Sequence, residues 1–462
     1  MKSSENSFIR IVPISFIAAI AGLLFGYDTG IISGALQFIV TTFHISPHDA
    51  LTQEIIVASV PIGAFIGAVV SQFLSNRLGR KYSIITTAIL FSIGTLVAAD
   101  AHSISEVVSG RLLMGLAVGI SAMIVPMYLS ELAPQKIRGS LVFCFQLAIN
   151  VGLFSAFLIN YLFVASENWR AMFAVGIVPS IILGIGMLFL PCSPRWLVYS
   201  RRDLKAKHTL RKLRCTGDIE QEFQEIKSSV ANQQGNFFQL WKSPVRPVSL
   251  ICFFLFGFQQ LTGINTIMYY APIIYQYAGF KGAEGQVLAA VGNGVTLVFV
   301  TMLGMWLVDK LGRRKLFMIG FVGMVICLSL LGLVYQHRFG QAASPSIAMV
   351  AVICYILFFG VSIGPLAYLI MSELFPLNVR SSGMALASCG NWGFNVLVSS
   401  TFLTLVHLIT IADTFYFYAF CTLIGCVFCY FFIPETKGMS LESIEKNLYS
   451  GLKTRNIGYV SS

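Results

Sequence analysis

Twelve stretches of this chain run for about twenty residues with almost no charge, the length a helix rising 1.5 Å per residue needs to cross roughly 30 Å of hydrocarbon. They lie at 11–39, 51–74, 82–99, 107–129, 140–163, 170–190, 248–277, 285–307, 316–335, 346–371, 381–406 and 412–433. Only 11% of the residues are charged against 56% hydrophobic, and the mean hydropathy is +0.78. That is too little polarity to coat a water-soluble surface. The expected fold is an all-α membrane protein of twelve transmembrane helices.

The first run follows Lys2 and Arg10 as a signal peptide does, but it exceeds 25 residues and contains Asp28, so it reads as an uncleaved helix. Lys and Arg in short loops resist translocation, which sets orientation. Alternate loops differ sharply. One side carries only Arg170, Lys281 and Arg338; the other has both tails, Arg77, Arg80, Lys81, Lys136, Arg138, the 191–247 loop, Lys310, Arg313, Arg314, Lys315 and Arg380. Both termini are expected in the cytoplasm, in an inner (plasma) membrane. The net charge of +11 is spread over every loop on that side, which fits topology and anionic lipid better than nucleic acid. The cysteines fall in predicted helices or on the same side, so neither disulfides nor zinc are expected.

Two short motifs occur twice, in the same order. Leu78-Gly79-Arg80-Lys81 recurs 233 residues on as Leu311-Gly312-Arg313-Arg314, and Ser130-Glu131-Leu132-Ala133-Pro134 recurs 242 residues on as Ser372-Glu373-Leu374-Phe375-Pro376. Such a period in an apolar chain implies two related six-helix, pseudo-symmetric halves. The polar segment 191–247, with eleven basic and five acidic residues, divides the apolar runs six and six. The organisation expected is therefore a first half at 1–190, a cytoplasmic linker with short helices at 191–247, a second half at 248–433 and a cytoplasmic tail at 434–462. Arg80, Glu131 and Arg138 in the first half match Arg313, Arg314, Glu373 and Arg380 in the second. Ion pairs among them can form in one conformation and part in another, as a gate requires. The plainer reading is that the basic residues only anchor topology.

These residues bring a family into view. Asp309-Lys-Leu-Gly-Arg-Arg314, Pro191-Cys-Ser-Pro-Arg-Trp-Leu197, Pro434-Glu-Thr-Lys-Gly438 and Gln259-Gln-Leu-Thr-Gly-Ile-Asn265 resemble the sugar porters of the major facilitator superfamily, which include bacterial sugar–proton symporters and animal facilitative glucose transporters. Three positions depart from the family pattern: Asn76 stands where Asp is usual, Cys192 where Glu is usual, and Tyr368, in Gly364-Pro-Leu-Ala-Tyr368, where Trp is usual.

A sugar carries its ring of hydroxyls into a place with little water, and each one left unpaired costs roughly 1–3 kcal/mol. Asn and Gln both donate and accept without the larger cost of a buried charge. The apolar runs hold Gln146, Asn150, Gln259, Gln260, Asn265, Asn293, Asn391 and Asn395. A lone amide in a membrane helix more often bonds another helix. The resemblance places Gln146, Gln259, Gln260, Asn265, Asn293 and Asn391 on sugar-contact positions, with Tyr269, Tyr368 and Trp392 as flanking aromatics. On an unbroken helix Gln260 and Asn265 point roughly 140° apart, so a break at Gly263 is expected, with Pro272 beyond it and an external gate at Tyr269 and Tyr270.

Asp28 and Arg111 are ionisable residues inside apolar runs, where a charge costs about 2.5–3.5 kcal/mol on insertion scales. They are candidate partners. The resemblance implies proton coupling, because proton-coupled members carry Asp at the position of Asp28 and uniporters carry Asn. A purely structural pair, or an Asp reaching extracellular water, is the competing reading.

The function expected is import of a monosaccharide, a hexose such as glucose or galactose, or xylose, with a proton by alternating access. A facilitative uniporter is the alternative, with a drug or metabolite antiporter or a sugar sensor behind it. No enzyme is expected, since the six histidines are scattered and no nucleophile–base spacing or metal cluster emerges. No cofactor is implied beyond the proton as coupling ion; the partners expected are sugar and lipid bilayer, with no nucleic acid, for a monomer.

Overall fold

A computed structural model of the protein describes every residue except 1, 47, 134–137, 215–218, 233–236, 339, 341–342, 377–378, 440, 451, 453 and 458–462. Lys136, Cys215 and the side chains of Arg138 and Asp309 lie outside the described residues. Among those described, the chain is helical with no strand. Ten helices are long and apolar enough to cross a membrane, eleven with one bent pair. The count reaches the expected twelve because α2 (Ala50–Ala99) carries two apolar runs end to end. Gly79 interrupts it at φ 80°, ψ 167°, a backbone conformation that a side chain disfavours and glycine allows.

The first part of the chain forms α1 (Lys2–Thr42), α2, α3 (Ile104–Leu132), α4 (Arg138–Val164), α5 (Trp169–Ala174) and α6 (Ile177–Phe189). The expected linker folds as short helices, α7 (Pro194–Tyr199), α8 (Asp203–Leu213) and α9 (Ile219–Asn232). Trp196, Leu197, Val198, Ala206, Leu210 and Phe223 give these three a small apolar core of their own. Then follow α10 (Val245–Leu261), α11 (Ile264–Tyr269), α12 (Ala271–Tyr277), α13 (Gly282–Leu311), α14 (Arg313–Tyr335), α15 (Ser344–Val361), α16 (Ile363–Leu374), α17 (Arg380–Ser399), α18 (Phe402–Ile409), α19 (Ile411–Phe432) and α20 (Leu441–Tyr449).

Several spans are broken. α10 gives way to α11 at Gly263, which is left-handed at φ 84°; α15 gives way to α16 at Ser362; α17 and α18 meet at 41°. Large apolar side chains along the spans face outward, Phe189 at 83% exposure among them, as lipid solvation allows and water does not. Cys426 and Cys429 stand in a C-x-x-C spacing inside α19, and both are free thiols.

The chain packs as two compact units. The first comprises Met1–Asp28, Ile62–Leu153 and Arg170–Gln234; the second comprises Thr29–Pro61, Phe154–Trp169 and Gly235–Ser462. In the first, α1 and α4 cross at near backbone contact, since a methyl group on Gly26 would strike Ile149 and one on Gly152 would strike Leu23. Small residues permit such close approach between membrane helices. In the second, α14 packs against α15 and α19, α10 against α17, and α13 against α15.

Candidate functional site

In the first unit, Asp28 of α1 and Arg111 of α3 come together as the sequence suggests. Both side chains are 0% exposed, with Arg111 Nη1 3.6 Å from Asp28 Oδ1. Arg111 owes its position to Gly110, where a Cβ would lie 2.7 Å from Ala98 N and Gly94 O of α2. Its guanidinium lies 5.8 Å from the centre of the Phe173 ring. At 3.6 Å the pair attracts by Coulomb force, but the separation exceeds that of a hydrogen bond. Neither Asp28 oxygen has a hydrogen-bond partner among the described residues. The reading in which Asp28 reaches water does not hold in this conformation. Neutralising Asp28 would therefore cost none of the hydrogen bonds seen among the described residues and would weaken only the attraction to Arg111. Gln146 and Asn150 of α4 belong to the same unit, Asn150 buried and Gln146 partly so.

The second unit holds the other amides, and the break at Gly263 resolves the geometry of Gln260 and Asn265. With the helix interrupted there, Asn265 Nδ2 donates to Gln260 Oε1 at 2.6 Å. Gln259, one residue earlier, faces a different neighbour. Its Nε2 donates to the carbonyls of Ile363 and Gly364, each at 3.0 Å, at the start of α16. Its Oε1 accepts from Asn391 Nδ2 of α17 at 2.8 Å. Both hydrogens of the Gln259 amide are therefore occupied. What it can still offer a ligand is an acceptor lone pair, whereas Asn391 keeps its carbonyl and one N–H.

Asn293 of α13 is fully buried and accepts from the Tyr275 hydroxyl at 2.7 Å, while its Nδ2 has no partner among the described residues. Sequence reasoning missed Tyr275, which no motif marks. Tyr368 is 45% exposed, and its ring meets Phe256 edge-on at 4.8 Å; Tyr269 and Trp392 are buried. The Asn395 Oδ1 is buried without a hydrogen-bond partner among the described residues.

The repeated charged motifs form matching triads, each inside its own unit. In the first, Arg80 reaches Glu131 at 2.8 Å and the Ser193 hydroxyl donates to the other oxygen of Glu131 at 2.5 Å. In the second, Arg313 reaches Glu373 at 2.9 Å and the Thr436 hydroxyl donates to its other oxygen at 2.5 Å. Ser193 and Thr436 are the members sequence reasoning missed, though both sit in the quoted motifs at the same offset after a Pro. Glu435 adds a cap in the second unit, accepting from the backbone N–H groups of Arg313 at 3.1 Å and Arg314 at 3.0 Å. Cys192, its counterpart, has no carboxylate to do this. The Arg314 guanidinium, expected in the charged network, donates to Tyr430 O at 2.8 Å, and Arg380 Nε donates to Phe375 O at 3.2 Å.

Comparison with known proteins agrees over nearly the whole chain. Residues 14–448 match the model of the "Sugar (and other) transporter" family. The galactose–proton symporter of Escherichia coli K12 is 40% identical over 448 residues, 96% of each protein. The arabinose–proton symporter of the same strain is 39% identical over 452 residues, 96% of this chain and 95% of that one. The inward-open structure of the xylose transporter XylE from E. coli superposes with a TM-score of 0.82 at 31% identity, covering 94% of this chain and 99% of that one. The protein is a multi-pass membrane protein that belongs to the sugar transporter family of the major facilitator superfamily.

Proposed function

We propose that this protein imports a monosaccharide together with a proton by alternating access, Asp28 being the proton carrier. The observation that carries the reading is the ion pair in the first unit: a fully buried carboxylate 3.6 Å from a fully buried guanidinium, the carboxylate oxygens having no hydrogen bond among the described residues to lose. Relatives named as galactose–proton and arabinose–proton symporters support it, as does the run of buried amides. Protonation of Asp28 weakens its hold on Arg111, so the loaded and empty carriers favour different conformations. Each 100 mV acting on one charge supplies about 2.3 kcal/mol, roughly a 50-fold accumulation.

In this reading Gln260, Asn265, Asn293 and Asn391 of the second unit offer hydroxyl partners, Tyr269, Tyr368 and Trp392 flank the sugar ring, and Gln259 holds Asn391 in place. The protein acts as a monomer of two six-helix halves in the inner membrane, both termini cytoplasmic, and the two triads are the cytoplasmic gate. Purified protein in sealed vesicles, given labelled galactose, glucose, xylose and arabinose with and without an inward proton gradient, tests it. Gradient-dependent accumulation of at least one sugar is expected; equilibration unaffected by the gradient would establish a uniporter instead.

A further inference from the structure

The start of α2 holds a carboxylate for which the transport cycle has so far no use. Glu54 is 1% exposed, and a carboxylate buried that deeply is costly unless paired. Both its oxygens are taken by one residue 350 positions on. Thr404 donates its backbone N–H to Oε1 at 2.7 Å and its hydroxyl to Oε2 at 2.7 Å. Thr404 is the third residue of α18, so its N–H is one of the four that a helix start leaves without an internal partner, and an anion there faces the positive end of the helix dipole. A second contact joins the same two segments: the rings of His48 and His407 lie 6.2 Å apart.

α18 is a separate piece, bent 41° from α17. Its hinge is gripped by Tyr270, whose hydroxyl donates to Ser399 O at 3.0 Å and whose ring lies 5.0 Å from that of Phe402. Tyr270 in turn separates α11, which carries Asn265 and Tyr269, from α12. The N-terminal end of α18 is thus tied twice, to the broken span bearing sugar-position residues through Tyr270 and to α2 through Glu54. All of these residues belong to the second unit.

We infer that Glu54 is the clasp of the external gate: it docks α18 on the start of α2 while that face is shut, and releases Thr404 when the face opens. The inference rests on the transport reading for what passes the gate, and its test needs no sugar, so the two can fail separately. The reporter is Ser400→Cys at the α17–α18 bend, with its rate of modification by N-ethylmaleimide read at that one peptide by mass spectrometry, well below the unfolding temperature. Adding Glu54→Ala should accelerate modification about tenfold, and Glu54→Gln less, because an amide oxygen still accepts from the Thr404 N–H. A purely structural role would lower the melting temperature and leave the native-state rate unchanged, and that result overturns the inference. Should Glu54→Ala not yield monodisperse protein, Thr404→Val removes only the hydroxyl half of the clasp; about threefold acceleration is expected, and none counts against the clasp.

Discussion

Replacing Gln259 with Leu separates a residue that touches sugar from one that positions its neighbour. The substitution keeps the volume and deletes three hydrogen bonds, two to the carbonyls of Ile363 and Gly364 and one from Asn391. At about 0.5–1.5 kcal/mol each, with the two carbonyls keeping their partners inside α16, the loss is about 2–3 kcal/mol of stability. Most of the harm falls on Asn391, 7% exposed, whose N–H is left pointing at a methyl group. If Asn391 makes the sugar contact and Gln259 only orients it, Gln259→Leu and Asn391→Leu should each weaken sugar binding about tenfold, or 1.4 kcal/mol, and the double variant no more than Asn391→Leu alone. Titration calorimetry on the four proteins completes the cycle. Additive losses in the double variant would refute the reasoning, since they require two independent contacts.

Gly263→Ala puts a Cβ at φ 84°, 3.2 Å from the Tyr418 ring; it should cost about 1–2 kcal/mol of stability and raise the sugar Kd by disturbing the Asn265–Gln260 bond, as thermal melts and binding will show. Gly79→Ala should destabilise more than Gly312→Ala, because the first meets the buried Trp196 ring at 2.6 Å and the second only the Glu435 carboxylate at 2.8 Å, a side-chain end that can swing away. In the linker, the Lys207 hydrogen bond holds the Glu220 carboxyl below its ordinary range. A carboxyl depressed on folding adds stability above its unfolded pKa of about 4.3 and loses it as pH falls through the lower folded value. Proteolytic nicking within 191–247 should therefore rise on acidification below that range, and Glu220→Gln should flatten the dependence.

The spans were readable because crossing hydrocarbon imposes a length, and that length shows in the sequence whatever the spans pack against. What hid one boundary was brevity: the loop between the second and third runs is so short that α2 continues through it with Gly79 alone out of line. The break at Gly263 followed from an angular conflict between Gln260 and Asn265, and Arg111 was found because an intramembrane charge asks for a partner. Glu54 was passed over, since an acid near a helix start is ordinary and its partner lies 350 residues away. Tyr275 and Thr436 share that fate. For Tyr275, a hydroxyl among apolar neighbours carries no periodic signal and only the packing of α12 on α13 reveals the amide it serves; Thr436 does sit in a repeated motif, but its partner Glu373 lies 63 residues earlier.

The claim on which the account turns is that Asp28 binds a proton only as part of sugar movement. The direct measurement is external pH in a lightly buffered, de-energised vesicle suspension, recorded as a transported sugar is added to protein with Asp28 or with Asp28→Asn. The account predicts immediate alkalinisation with Asp28 and none with Asn, while Asp28→Asn still exchanges labelled for unlabelled sugar. Equal alkalinisation by the two proteins, or a sugar flux from the Asp28 protein with no pH change at all, would contradict it.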